Sequence, residues 1–174
     1  MSSAKRFIFS KKTITITSVV IVVLIGCAVT GLLMKQNSET ANKISPKAVD
    51  SPAYTTVLPE GKSVSKLGGW TRISPPTNDP VYAYADKVGG VSITVSEQPL
   101  PASFKNNVDT QVGEVAKKFN ATTQFQANDT KVYIGTSAKG PQSLIFTKNN
   151  TLVLIKSLQK VEDKSWVAYI NSLK

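Results

Sequence analysis

The sequence predicts an α+β protein: an N-terminal transmembrane helix, a flexible linker, and one domain with a mostly antiparallel sheet of about five or six strands packed by two helices. Three observations carry this. Residues 13–34 are an uncharged apolar run set between lysines, residues 35–52 are polar, and residues 53–174 mix short β-patterned runs with two stretches of helical periodicity.

The first stretch, TITITSVVIVVLIGCAVTGLLM, runs for 22 residues from Thr13 to Met34. As a helix it spans about 33 Å, enough to cross a hydrocarbon core of about 30 Å with modest tilt. Orientation follows from its flanks, because lysine and arginine collect on the cytoplasmic side. The tail, residues 1–12, carries Lys5, Arg6, Lys11 and Lys12 and no acid, whereas beyond Lys35 the next basic residues, Lys43 and Lys47, are diluted by Glu39 and Asp50. A single-pass protein of the cell membrane is expected, with the tail inside and residues 35–174 outside the cytoplasm. A cleaved secretory signal fits less well, since its apolar region is shorter, about 7 to 15 residues, and ends in small residues. Leu24, Ile25, Gly26 and Cys27 resemble a bacterial lipobox, which makes lipidation of Cys27 the lesser alternative. Lipoproteins turn polar after that cysteine, and Ala28 to Met34 stays apolar.

Composition narrows the chemistry of the exported part. The chain has no histidine, and its single cysteine lies in the apolar run. Disulfides, Cys/His metal sites and thiol or imidazole catalysis are therefore excluded from residues 53–174. Neither a catalytic residue, a cofactor site nor a metal site is expected. Four of the 21 basic residues lie in the tail, leaving 17 against 11 acidic ones beyond it, a net of +6. That balance suits an anionic surface polymer or lipid headgroup. Nucleic acid is not an expected partner, since the lysines are scattered and no RNA-binding aromatic motif accompanies them.

In chain order, KQNSETANKISPKAVDSP (residues 35–52) reads as a stalk, too poor in apolar surface to offset its ordering entropy. Trp70 is the first expected core aromatic. After the loop ISPPTNDP, Val81 to Ala85 and Val91 to Glu97 form a hairpin turned by Asp86 to Gly90, with Val91, Ile93 and Val95 on one face and Ser92, Thr94 and Ser96 on the other. Phe104, Val108, Val112, Val115, Ala116 and Phe119 recur at helical spacing and predict one amphipathic helix. Strands follow around Thr122 to Gln126 and Lys131 to Thr136. A hairpin of Gln142 to Lys148 and Thr151 to Ser157 then turns at Asn149 and Asn150. Its runs Leu144–Phe146 and Leu152–Ile155 do not alternate, which implies burial on both faces. Trp166, Val167, Ile170 and Leu173 predict a closing helix, capped by Glu162 or Asp163.

This order resembles the PsbP-like group, an antiparallel sheet packed between helices. The stretches GGWTRISPPTNDPVYAYADKVGGVSITVSEQPLP, VYIGTSAKGPQSLIFTKNNTLVLIKS and WVAYINSLK also look like uncharacterised single-pass anchored proteins of candidate-phylum bacteria. The resemblance implies fold and location. It brings over no catalytic residue, because its motifs are packing and turn motifs.

Three chemical patterns remain. Ser63 to Lys66 matches S-x-x-K, but no K-T-G element accompanies it. Gly135 to Gly140, GTSAKG, has phosphate-loop spacing, yet Pro141 stands where the lysine belongs, so a polar loop between strands is expected. Asp86, Glu97 and Asp129 are carboxylates that folding could bring together. Sequons at Asn120, Asn128 and Asn149 read as chance in an Asn- and Thr-rich chain. Two functions are left: a non-enzymatic envelope binding or adaptor module, expected to show an exposed apolar or basic patch, or a small-ligand sensor or carrier, expected to show a concave apolar pocket.

Overall fold

The computed structural model describes residues 46–174. The apolar run Thr13–Met34, Cys27 and most of the expected linker lie outside the described residues. Among those described, no helix is long and apolar enough to cross a membrane.

One antiparallel sheet of eight strands and two helices form the domain. The strands are β1 (Lys47–Val49), β2 (Trp70–Arg72), β3 (Tyr82–Val88), β4 (Val91–Pro99), β5 (Thr123–Ala127), β6 (Thr130–Thr136), β7 (Gln142–Lys148) and β8 (Thr151–Ser157). The helices are α1 (Val108–Lys118) and α2 (Asp163–Ser172). Spatial order is β1-β2-β3-β4-β8-β7-β6-β5. An N-terminal half-sheet and a C-terminal meander thus meet at β4 and β8, in register from Ile93↔Ser157 to Pro99↔Thr151.

The strand count corrects the expected five or six. Both extra strands are three residues long, too short to show a period of two. β1 falls inside the stretch expected to be linker, where Lys47, Ala48 and Val49 pair with Arg72, Thr71 and Trp70. β2 is held in turn by β3 and by the proline loop after it. The Arg72 guanidinium donates to the carbonyls of Pro75, Pro76 and Asn78 at 3.1, 3.3 and 2.9 Å. Such pairing comes from partners distant in sequence, which local pattern does not carry.

The β3–β4 turn is tighter than expected. Val88 pairs with Val91, so only Gly89 and Gly90 lie outside the ladder, at φ 56° and 82°, and Asp86 and Lys87 are strand residues. Asn149 and Asn150, at φ 50° and 58°, close β7–β8 as a two-residue turn of left-handed residues. The first helix is shorter than its apolar stripe: Phe104 belongs to a separate 3-10 turn, Ala102–Phe104, and Phe119 is the C-cap of α1. Glu162 is the N-cap of α2, where its backbone carbonyl accepts the Ser165 and Trp166 N–H groups and its side chain makes no cap bond. At the other end of α2, Lys148 Nζ donates to the Ile170 carbonyl at 3.1 Å.

The non-alternating runs of β7 and β8 divide between two cores. Leu144, Phe146, Val153 and Ile155 join Trp166, Tyr169 and Ile170 of α2, together with Trp70, Tyr82 and Tyr84. Ile145, Leu152 and Leu154 join Val112, Val115 and Ala116 of α1 on the opposite face. A helix covers each face, so the sheet is the middle layer. Each fully buried aliphatic side chain contributes about 1.5–3 kcal/mol.

Candidate functional site

The patterns singled out in the sequence do not converge. Ser63 caps a 3-10 turn, Val64–Leu67, and its hydroxyl lies 3.1 Å from that of Ser65, while Lys66 meets Ser63 through backbone atoms. Gly135 lies in β6 and Gly140 in the loop to β7, where Ser137 N–H donates to Pro141 C=O at 2.8 Å. A strand follows that loop. Asp129 is exposed in the β5–β6 turn. The sequon asparagines Asn120, Asn128 and Asn149 all occupy left-handed positions, at φ 55°, 46° and 50°. Asparagine tolerates that geometry, which accounts for its use there. Among the described residues, no three His, Cys, Asp or Glu side chains cluster as metal ligands.

Asp86 and Glu97 share the α2 side of the sheet but do not pair. Period-two alternation carries Glu97 onto the face of Ile93 and Val95, where it is 0 % exposed. Its Oε2 accepts the Val57 N–H at 2.9 Å, and its Oε1 has no hydrogen-bond partner. Burial pushes the carboxyl up to about 8, opposed only by the Val57 N–H. The Tyr54 hydroxyl donates to the Glu97 carbonyl, and the Tyr84 hydroxyl donates to the Val57 carbonyl at 3.4 Å. Asp86 instead faces a cation: Lys62 Nζ lies 2.6 Å from Oδ1, and the Tyr169 hydroxyl donates to Oδ2 at 3.1 Å. The Tyr84 and Tyr169 phenols influence each other, and burial raises both above their ordinary range. A polar seam therefore runs from exposed Lys62 through Asp86, Tyr169, Tyr84 and Val57 to Glu97. The alternation was visible in the sequence, since Val91, Ile93, Val95 and Glu97 recur every second residue. The partners were not.

The opposite face carries a groove of about 310 Å³ between α1 and the edge strand β5. Asp109, Thr110, Glu114 and Lys117 of α1 line one wall, and Thr122, Gln124 and Tyr133 line the other. Gly113 sets its depth: a Cβ there would lie 3.2 Å from the Tyr133 hydroxyl. That hydroxyl donates to the Asp109 carbonyl at 3.2 Å. Lys117 Nζ lies 2.7 Å from Glu114 Oε1, which lowers the Glu114 carboxyl and raises the lysine. Lys131 Nζ stands 3.9 Å from Asp109 Oδ2. The groove is open, and its lining mixes charged and polar side chains with the Tyr133 ring. There is no apolar patch, since Leu158, at 56 %, is the one exposed large hydrophobic residue among those described. No spacing in the sequence marks this groove, whose walls come from three elements.

Comparison with known proteins finds no match: no family model, no curated protein and no solved structure is similar to the chain.

Proposed function

We propose that this chain is a membrane-anchored, non-enzymatic binding or adaptor module of the bacterial cell envelope, working outside the cytoplasm and gripping a protein partner along the groove between α1 and β5. The observation that carries the reading is the groove together with its open strand. β5, TQFQA, is the terminal strand of the sheet and holds no lysine, proline or charge of the kind that blunts sheet edges. An extended segment of a partner can add to such an edge, with alternate side chains reaching the groove.

The charges separate the two partners expected from the sequence. Asp109 and Glu114 stand in the groove with Lys117 and beside Lys131, so the groove itself offers no excess of positive charge to a polyanion. A protein segment suits it better than an anionic surface polymer. The absence of histidine from the chain supports a role without catalysis. The apolar run Thr13–Met34 supports the membrane location, and the sheet-between-helices layout is the support for a PsbP-like relationship.

The test is a pulldown from native envelopes with the detergent-solubilised full chain, over a series of salt concentrations, beside a Thr122→Lys/Gln124→Lys double variant. Retention of one protein at high salt, reduced about tenfold or more by the lysines, is the expected result. Equal retention by both forms removes the groove from the reading. Retention of polyanions alone, lost as salt rises, replaces it with the +6 charge as the working feature. A groove of about 310 Å³ is also large enough for a small polar ligand. Saturable small-molecule binding without any protein partner would favour the sensor or carrier alternative.

A further inference from the structure

We propose that Tyr54–Lys62 is a proton-operated strap, latched over the buried Glu97 carboxyl while that group is protonated and released when it ionises. The strap crosses the α2 side of the sheet, where its Thr55 carbonyl accepts from the Thr151 hydroxyl at 3.3 Å and its Val57 carbonyl from the Tyr84 hydroxyl at 3.4 Å, and it is fixed at further places along its length. At one end, Val57 N–H and the Tyr54 hydroxyl engage Glu97. In the middle, Leu58 and Lys174 exchange backbone bonds of 3.1 and 2.9 Å, and Glu60 N–H donates to the Ser172 carbonyl at 2.7 Å. At the far end, Lys62 pairs with Asp86.

Of these attachments, only the Val57 N–H bond ends on the buried carboxyl, since the Tyr54 hydroxyl donates to the Glu97 backbone carbonyl. From the strap, Glu97 faces the Tyr54 phenol; from β3 it faces Tyr84, with Tyr82 paired directly opposite in the ladder. β8 places Val153 beside it, and α2 contributes Tyr169 through Tyr84. The next charged group along the seam is Asp86, itself an acid. No cation is among the influences on the Glu97 carboxyl, so an ionised Glu97 under the closed strap would have one donor, an orphan oxygen and no counter-charge. An enclosed carboxylate of that kind is strongly disfavoured. Lifting the strap admits water and removes the penalty.

The sign follows from linkage. With the strap closed, the carboxyl is pushed up to about 8; in water it returns to its ordinary value, near 4.5. Between these values the closed form holds a proton that the open form has lost, so rising pH favours opening, by up to about tenfold per pH unit. Below about 4.5 and above about 8 the ratio is level. The strap is tightest in acid and loosest in mild alkali.

Hydrogen exchange of the full chain in detergent micelles, read between pH 5 and 8.5 after correction for intrinsic rates, tests the proposal against Glu97→Gln. The glutamine retains an acceptor for Val57 N–H but cannot ionise. In the wild type, protection of amides 57–62 is expected to fall by up to about tenfold per pH unit while amides of β7 and β8 hold. In Glu97→Gln the strap's protection should not change with pH. Equal slopes in the two proteins overturn the proposal, as does loss of strap and β7 protection together. Should the variant fail to fold, carbon-13 titration of the Glu97 carboxyl in the wild type decides: a midpoint in the ordinary carboxylate range overturns it, and one near 8 supports it. These readouts do not involve a partner or an intact membrane, so failure here is separable from failure of the adaptor reading.

Discussion

Gln142 shows what a single polar side chain does inside this sheet. Its Oε1 accepts Val161 N–H at 2.8 Å and Trp166 Nε1–H at 3.0 Å, and its Nε2 donates to the Thr136 hydroxyl at 3.2 Å. Its own N–H donates to the Ser157 hydroxyl at 3.0 Å. The approach from β8 to α2 is thus fixed by a residue that, in sequence, is only the polar start of an apolar strand. Gln142→Leu keeps the size but leaves two buried donors unmet, each costing about 1–3 kcal/mol. A loss of about 2–5 kcal/mol in urea unfolding is expected; a loss under about 1 kcal/mol would mean that water replaces the amide. Glu97 was more legible, because alternation alone put it on the core face. What alternation omits is the donor 40 positions away that makes the site.

Among the elements, those with many repeats of their own period were readable and the short ones were not. β7 and β8 have the expected bounds, and their unbroken apolar runs correctly implied cover on both faces. β1 and β2 exist only because neighbours supply their ladders. The stripe from Phe104 to Phe119 overstated α1, since Asn106 and Asn107 interrupt the helix and leave Phe104 to pack from its own turn. Gly135 is a further case: its strand passes so near the end of α1 that a Cβ would lie 2.2 Å from the Asn120 carbonyl oxygen. Backbone cannot step aside as a flexible side chain can. Gly135→Ala is therefore expected to destabilise the domain by more than about 2 kcal/mol, shown by a lower thermal midpoint. An unchanged midpoint would mean that the α1–β5 junction yields freely.

For the molecule as a whole, the proposed anchor and the domain make separate predictions. If the proposed anchor holds, the full chain should sediment with membranes and resist extraction by salt and alkali, and added protease should cut between the apolar run and the domain from the outer side. Release by salt alone would replace insertion with surface attachment through the basic residues. In the domain, two cores, one on each face of the sheet, take up most of the apolar residues, and among the described residues the groove and the terminal strand β5 face outward.

By itself the sequence determined the α+β class, the long hairpins, the helical stripes, the absence of imidazole and thiol chemistry in the domain, and the expectation of an anchor. All of these are local or compositional, written in period, turn residues and residue counts. Tertiary structure alone decided the eight-strand order, the groove between α1 and β5, and the seating of Tyr54 and Val57 over Glu97. Each of those joins segments far apart in the chain, and which residues meet there depends on how packed layers close upon one another.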